Sequence, residues 1–184
     1  MQYGIYFDQT RCTGCGACGV ACKDWNDIPA GPENWMRVKY IEKGKFPEVF
    51  VAYLAEPCFH CEAPVCADAC PVDAISKDEN GIVAVDRDTC LGNRECDVKC
   101  QKACPYDAPQ FGPEEGAKMG KCDLCRQRLA DGKLPSCVET CPTRALDAGP
   151  VAELEAKYGK TRSAEGFAYS KRTKPAVVFR PKEP

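Results

Sequence analysis

The chain has 184 residues, a formal net charge of −2, 28% charged residues and one histidine. That length suits one compact unit or two small fused ones, and the mild acidity offers no basic face to nucleic acid. Leu, Ile, Val and Phe make up only about 17% of the chain, a share that signals disorder when the net charge is large. With the charge so small, disorder is a weak reading, and something besides an apolar core has to supply part of the folding free energy.

Residues 2–8 alternate weakly and predict a strand running into the first four of sixteen cysteines, Cys12, Cys15, Cys18 and Cys22. Gly14, Gly16 and Gly19 leave the backbone room to bend around a bulky group. Ala17–Trp25 reads as a helix with Cys18 and Cys22 on adjacent turns. Residues 35–42 and 48–54 are strand-like, divided by Lys43-Gly44-Lys45, and predict a hairpin inserted before the second set, Cys58, Cys61, Cys66 and Cys70. Residues 74–77 and 82–85 flank Asp78-Glu79-Asn80-Gly81, where Asn-Gly signals a tight turn because both residues accept positive φ. The third set, Cys90, Cys96, Cys100 and Cys104, follows. The fourth, Cys122, Cys125, Cys137 and Cys141, is interrupted by residues 126–136, which fit a short helix ending near Gly132. A helix over residues 151–158, stopped by Gly159, a polar stretch and a late strand over 176–180 complete the chain. The basic run at Lys171, Arg172 and Lys174 reads as a solvated surface.

An even number of cysteines suits disulfides in short secreted domains. Here residues 1–7 carry no secretory leader pattern, and no apolar run approaches the roughly 20 residues that span a bilayer. The expected location is cytoplasmic, with export alongside a partner left open. The first set reads C-x2-C-x2-C-x3-C, the run that holds a [4Fe–4S] cluster in bacterial two-cluster ferredoxins. A cube needs four thiolates from different directions; three close cysteines wrap one face, and the fourth ligates the other cluster of a pair. Proline after the fourth cysteine (Pro71, Pro105, Pro142) ends the short helix and turns the chain outward; Lys23 stands there in the first set. Paired CxxC units also build tetrahedral zinc sites. That alternative weighs most on the third set, where Asn93 occupies the second cysteine's position and the first loop is longer. His60 reads as a ring hydrogen-bonded to sulfur or facing solvent rather than a ligand, and Trp25 and Trp35 as packing residues. No catalytic constellation or phosphate-binding glycine loop is present, so intrinsic catalysis is not expected.

The chain resembles the four-cluster ferredoxin-like small subunits of molybdenum and tungsten bis-pterin oxidoreductases, best known from the dimethyl-sulfoxide-reductase family. The stretches that carry this are 12–24, Pro57-Cys58-Phe-His-Cys61 through Cys70-Pro-Val-Asp-Ala-Ile75, Ala103-Cys104-Pro-Tyr-Asp-Ala-Pro109, Lys121-Cys122-Asp-Leu-Cys125 through Cys141-Pro142, and 173–178. Similar subunits also accompany tungsten enzymes of the aldehyde-oxidoreductase type, including class II benzoyl-CoA reductases. The resemblance implies a nested arrangement: Cys12, Cys15, Cys18 and Cys141 on one cluster; Cys122, Cys125, Cys137 and Cys22 on its neighbour; Cys58, Cys61, Cys66 and Cys104 on a third. Cys90, Cys96, Cys100 and Cys70 form the fourth site, [4Fe–4S] or zinc, so four clusters are expected, or three beside a zinc.

The expected fold is α+β. Two fused bacterial-ferredoxin-like modules of βαβ-βαβ type span 1–35 with 118–148 and 54–117. An inserted hairpin spans 36–53, and an extended, partner-contacting C-terminal tail spans 149–184. The implied function is relay of single electrons to or from a large catalytic subunit with a tungsten or molybdenum bis-pterin cofactor in an anaerobic oxidoreductase, with a further donor or acceptor protein as a second partner. Two rivals stand beside it, a free-standing polyferredoxin shuttle and a zinc-stabilised interaction module.

Overall fold

The computed structural model describes residues 1–183. Its organising element is β1 (Tyr3–Asp8), buried on both faces from Gly4 onward. β1 pairs antiparallel with β6 (Leu146–Pro150) and parallel with β7 (Val177–Arg180), giving the order β6-β1-β7. Phe7 lies between Leu146 and Phe179, and Ile5 between Ala148 and Val177. These side chains join Leu54 of β3 (Glu48–Glu56) in the main apolar cluster. On the opposite face Tyr6 and Val178 pack against Leu154 of α6 (Val151–Tyr158), and the Tyr6 and Tyr158 rings stack at 3.7 Å. Each large side chain buried this way contributes about 1.5–3 kcal/mol. β3 pairs with β2 (Arg37–Lys45) in a nine-residue antiparallel ribbon. Its inner residues Ala52, Leu54 and Ala55 are buried, while Phe46 at the tip is 91% exposed.

A second, smaller unit lies between the halves of the first. β4 (Ile75–Lys77) and β5 (Val83–Val85) pair antiparallel, and α2 (Val65–Asp68) packs on α3 (Lys99–Ala103). In the first unit α1 (Ala17–Trp25) packs in the same way on α5 (Ser136–Thr140), with α4 (Arg126–Ala130) leading toward it. The two stretches share several hydrogen bonds. The Asp8 N–H donates to Ala145 O and the Asp86 N–H to Ala74 O, each at 2.8 Å. The Cys12 N–H then donates to Asp8 O and the Cys90 N–H to Asp86 O. Each aspartate carboxylate also accepts a backbone N–H two residues on, from Thr10 and Asp88. Arg144 and Asp73, both in a Cys-Pro-x-x-Ala segment, turn the backbone at φ 53° and 51°. One device thus acts twice: an antiparallel strand pair sets the loop that opens one cysteine run against the cysteine that closes another.

Two expectations are corrected, and one strand was missed. The ribbon turns at Phe46-Pro47 and not at Lys43-Gly44-Lys45; proline lacks the N–H a ladder needs and takes the turn, while Lys43 to Lys45 stay paired. Residues 149–184 do not form an extended tail. α6 covers the central sheet and β7 is built into it, with Val177 and Val178 wholly buried. β6 was not foreseen, since Leu-Asp-Ala-Gly-Pro reads as a turn; its pairing with β1 overrides that local preference.

Candidate functional site

Four small, largely apolar cavities interrupt the interior, each lined by four cysteines. Cys12, Cys15, Cys18 and Cys141 line the first with Phe7 and Pro142. Cys22, Cys122, Cys125 and Cys137 line the second with Leu124 and Leu146. Cys58, Cys61, Cys66 and Cys104 line the third with Lys121 and Thr173. Cys70, Cys90, Cys96 and Cys100 line the fourth with Phe111 and Met119. The structure thereby gathers the sixteen thiols, all free, four to a cavity.

Short helices do the sorting. Residues four apart on a helix lie about one turn apart along its axis. α1 accordingly gives Cys18 to the first cavity and Cys22 to the second, and the α5 segment gives Cys137 to the second and Cys141 to the first. Cys66 and Cys70 around α2, and Cys100 and Cys104 around α3, do the same for the third and fourth. Each pair of cavities is therefore laced twice. The two pairs meet where Lys121, on the wall of the third cavity, runs into Cys122 of the second. The result is a row in the order first, second, third, fourth.

Burial governs the thiols. It pushes Cys22, Cys61 and Cys66 up to about 12 and Cys18 and Cys100 to about 11. It raises Cys122 and Cys137 well above the usual thiol range. Neighbouring thiolates add to the rise at these positions, so such a set ionises when a cation is there to balance it. Cys141 moves the other way. Burial raises it too, but donors outweigh that, led by the Ala145 N–H at 3.2 Å and the Thr143 hydroxyl at 3.7 Å. Other sulfurs also have donors: the Met119 N–H to Cys90, the Leu124 N–H to Cys122 and the Asn26 amide to Cys22. Donors of this kind tune a metal-bound thiolate.

In the third set's irregular loop Leu91 lines the cavity while Asn93 does not. Asn93 donates Nδ2–H to Glu114 O at 3.0 Å and accepts the Gly116 N–H at 2.9 Å, while its own N–H reaches Ala117 O. Gly92 passes so close that a Cβ there would lie 2.4 Å from Gly116 O. Cys96 takes the lining position instead. Among the described residues no three His, Cys, Asp or Glu side chains converge as a single metal ion requires; the thiols surround a volume, as a cube does.

His60 corrects the sequence reading. Its ring is wholly buried, not solvent-facing, and Nδ1 accepts the Val83 N–H at 3.0 Å. Burial, then the charge of Lys121, hold it well below the usual imidazole range, hence neutral. Its Nε2 and the Thr173 hydroxyl are buried without a hydrogen-bond partner. Trp25 is 43% exposed and lies under the Arg128 guanidinium at 4.7 Å; Trp35 donates to Glu33. Sequence reasoning missed Lys121, which is 2% exposed and donates to the carbonyls of Val83 and, at 2.7 Å, Cys122. An ammonium buried without a carboxylate costs several kcal/mol, so it calls for an anion, which a thiolate-bound cluster supplies. The donor set and this lone cation both fit iron–sulfur clusters.

Four thiols to each of four cavities define an iron–sulfur protein of the multi-cluster kind. Two family models, both described as 4Fe-4S dicluster domain, match residues 11–74 and 49–151. The chain is 43% identical over 189 residues to the probable anaerobic dimethyl sulfoxide reductase chain YnfG of Escherichia coli, with 98% of this chain and 89% of that one covered. It is equally similar, over the same shares, to the B subunit of the anaerobic dimethyl sulfoxide reductase of the same organism. To the thiosulfate reductase electron transfer subunit PhsB of Salmonella typhi it is 40% identical over 84% of this chain and 79% of that one. The chain belongs to the 4Fe-4S dicluster family. It carries four [4Fe–4S] clusters and serves as an iron–sulfur electron-transfer subunit.

Proposed function

We propose that the four clusters sit in the four cavities on the nested ligand sets: Cys12, Cys15, Cys18 and Cys141; Cys22, Cys122, Cys125 and Cys137; Cys58, Cys61, Cys66 and Cys104; Cys70, Cys90, Cys96 and Cys100. The observation that carries this is the partition of sixteen thiols, four to a cavity, by helices that hand alternate cysteines to neighbouring cavities. Each cluster supplies one-electron chemistry when bound. The chain's own residues bury most of the sulfurs at least in part, fix the order of the row and aim N–H and O–H donors at several of them. Two modules carry the pairs, 1–35 with 118–148 for the first and second sites and 54–117 for the third and fourth, with the ribbon 36–53 between them. The repeated Asp8 and Asp86 hydrogen bonds support that division.

The same reading gives the row a catalytic partner at one end, the pterin-bearing molybdenum or tungsten subunit of an anaerobic reductase. What supports it is the similarity to chains named for dimethyl sulfoxide and thiosulfate reductases. No helix among the described residues is long and apolar enough to cross a membrane, and the exposed ribbon tip at Phe46 offers a contact surface. The test is anaerobic purification from the native source, with iron, acid-labile sulfide, zinc and pterin analysis. The expected outcome is four irons and four sulfides per site and a co-purifying large subunit that contains pterin. Stoichiometric zinc in a colourless protein, or a monomer with no partner, would overturn the reading.

A further inference from the structure

Lys121 is the only lysine or arginine that is buried among the described residues. Its ammonium meets carbonyl oxygens of Val83 and Cys122 and forms no ion pair among the described residues. Glu33, the buried carboxylate beside Gly120, is engaged by the Trp35 indole N–H. The side chain runs along the wall of the third cavity beside Cys58 and Cys66, and its backbone leads directly into Cys122 of the second. β5 fixes it there: Val83 gives its carbonyl to Lys121 and its N–H to His60. We propose that Lys121 is a counter-charge shared by the second and third clusters, favouring the reduced state of both and leaving the first and fourth largely unaffected.

The proposal rests on the nested ligand sets. A cluster gains negative charge on reduction, so a fixed cation nearby stabilises the reduced form, most strongly where water is excluded. The charge reaches both sides by position, since the side chain lines the third cavity with Cys66 and its ammonium donates to the carbonyl of Cys122, a ligand of the second, at 2.7 Å. Lys118, which donates to the Cys90 carbonyl beside the fourth cavity, is exposed and therefore screened by water. No lysine or arginine lines the first.

The test is an EPR-monitored redox titration of the full chain in its native complex, comparing Lys121→Met and Lys121→Gln with Lys121→Arg. Cys122→Ser and Cys66→Ser assign the signals of the second and third clusters. In the neutral variants the reduced-to-oxidised ratio at a fixed potential should fall by on the order of tenfold for those two signals, which is about 59 mV for a one-electron couple. The other two signals should hold, and Lys121→Arg should stay close to the unmodified protein. If the neutral variants assemble short of iron, a deficit confined to the same two clusters and absent from Lys121→Arg supports the shared counter-charge. Unshifted potentials, an equal shift or loss at all four clusters, or a Lys121→Arg variant as perturbed as Lys121→Met would overturn it. If Cys66→Ser and Cys122→Ser abolish the same signal, the nested ligand sets fail; if they abolish two signals that Lys121→Met leaves in place, the counter-charge alone fails.

Discussion

The surroundings of Cys141 favour the thiolate despite burial, and Thr143 allows that effect to be tested one atom at a time. Thr143→Val removes the hydroxyl 3.7 Å from the sulfur and keeps the shape and the Ala145 N–H bond at 3.2 Å. A long hydroxyl–sulfur contact belongs at the low end of the roughly 0.5–1.5 kcal/mol that a hydrogen bond contributes net. A donor to a ligand sulfur stabilises the more negative, reduced cluster, so its removal lowers the potential. If about 0.5–1 kcal/mol of the interaction distinguishes the two states, the shift is about 20–40 mV downward, at about 1.4 kcal/mol or 59 mV per tenfold. A redox titration followed by EPR measures it, and Thr143→Ser, which restores a hydroxyl, should recover most of the shift. The reasoning fails if the potential rises or stays put in Thr143→Val, or if the shifted signal survives Cys141→Ser.

Other outcomes follow from the same geometry. Complete chelation of iron should abolish the native far-UV spectrum, because Leu, Ile, Val and Phe are too few to hold the units together; a native-like spectrum after chelation counts against this. Leu54→Ala, at a wholly buried position, should destabilise the protein by about 2–5 kcal/mol, seen as a lower thermal midpoint. Asn93→Ala releases the 114–117 loop from its two side-chain bonds and should speed chelator removal of iron from one cluster of the four, with no change in the other three. Asp147 is raised by burial but held lower overall by the Tyr158 hydroxyl and the Lys157 ammonium. Its folded-state pKa lies below the unfolded one, so its stabilisation is present above about pH 4 and is lost as pH falls through the folded value. Asp147→Asn should flatten that acid-side loss in denaturation curves collected across pH.

Local signals with a physical stop in them were legible from the sequence. Gly159, at φ 90°, ends α6 where the sequence predicts, and Asn80-Gly81 turns β4 into β5 with Gly81 at φ 74°. Where two breakers compete, the reading slipped: Gly44 offered a turn, but a glycine can remain in a ladder and a proline cannot, so Pro47 took it. β6 and β7 are short, and each depends on pairing with β1 at the far end of the chain; local propensity does not encode that partner. The count of thiols was plain, yet spacing alone does not say which distant cysteines share a cavity, and that came from the resemblance. Lys121 and His60 were opaque for another reason. Charged and polar side chains usually face water, and only the assembled walls reveal that these two do not.

The lacing of neighbouring cavities has a consequence for how the molecule is made. Every thiol of the third and fourth cavities lies between Cys58 and Cys104, so that pair is complete once the middle of the chain exists. The first and second cavities draw on Cys12 to Cys22 and on Cys122 to Cys141. Cys12 to Cys22 therefore wait through about a hundred residues of synthesis before their companions exist. The inner pair can fill first and serve as the surface on which the two ends close, which makes the vulnerable moment of assembly an exposed amino-terminal run of four thiols.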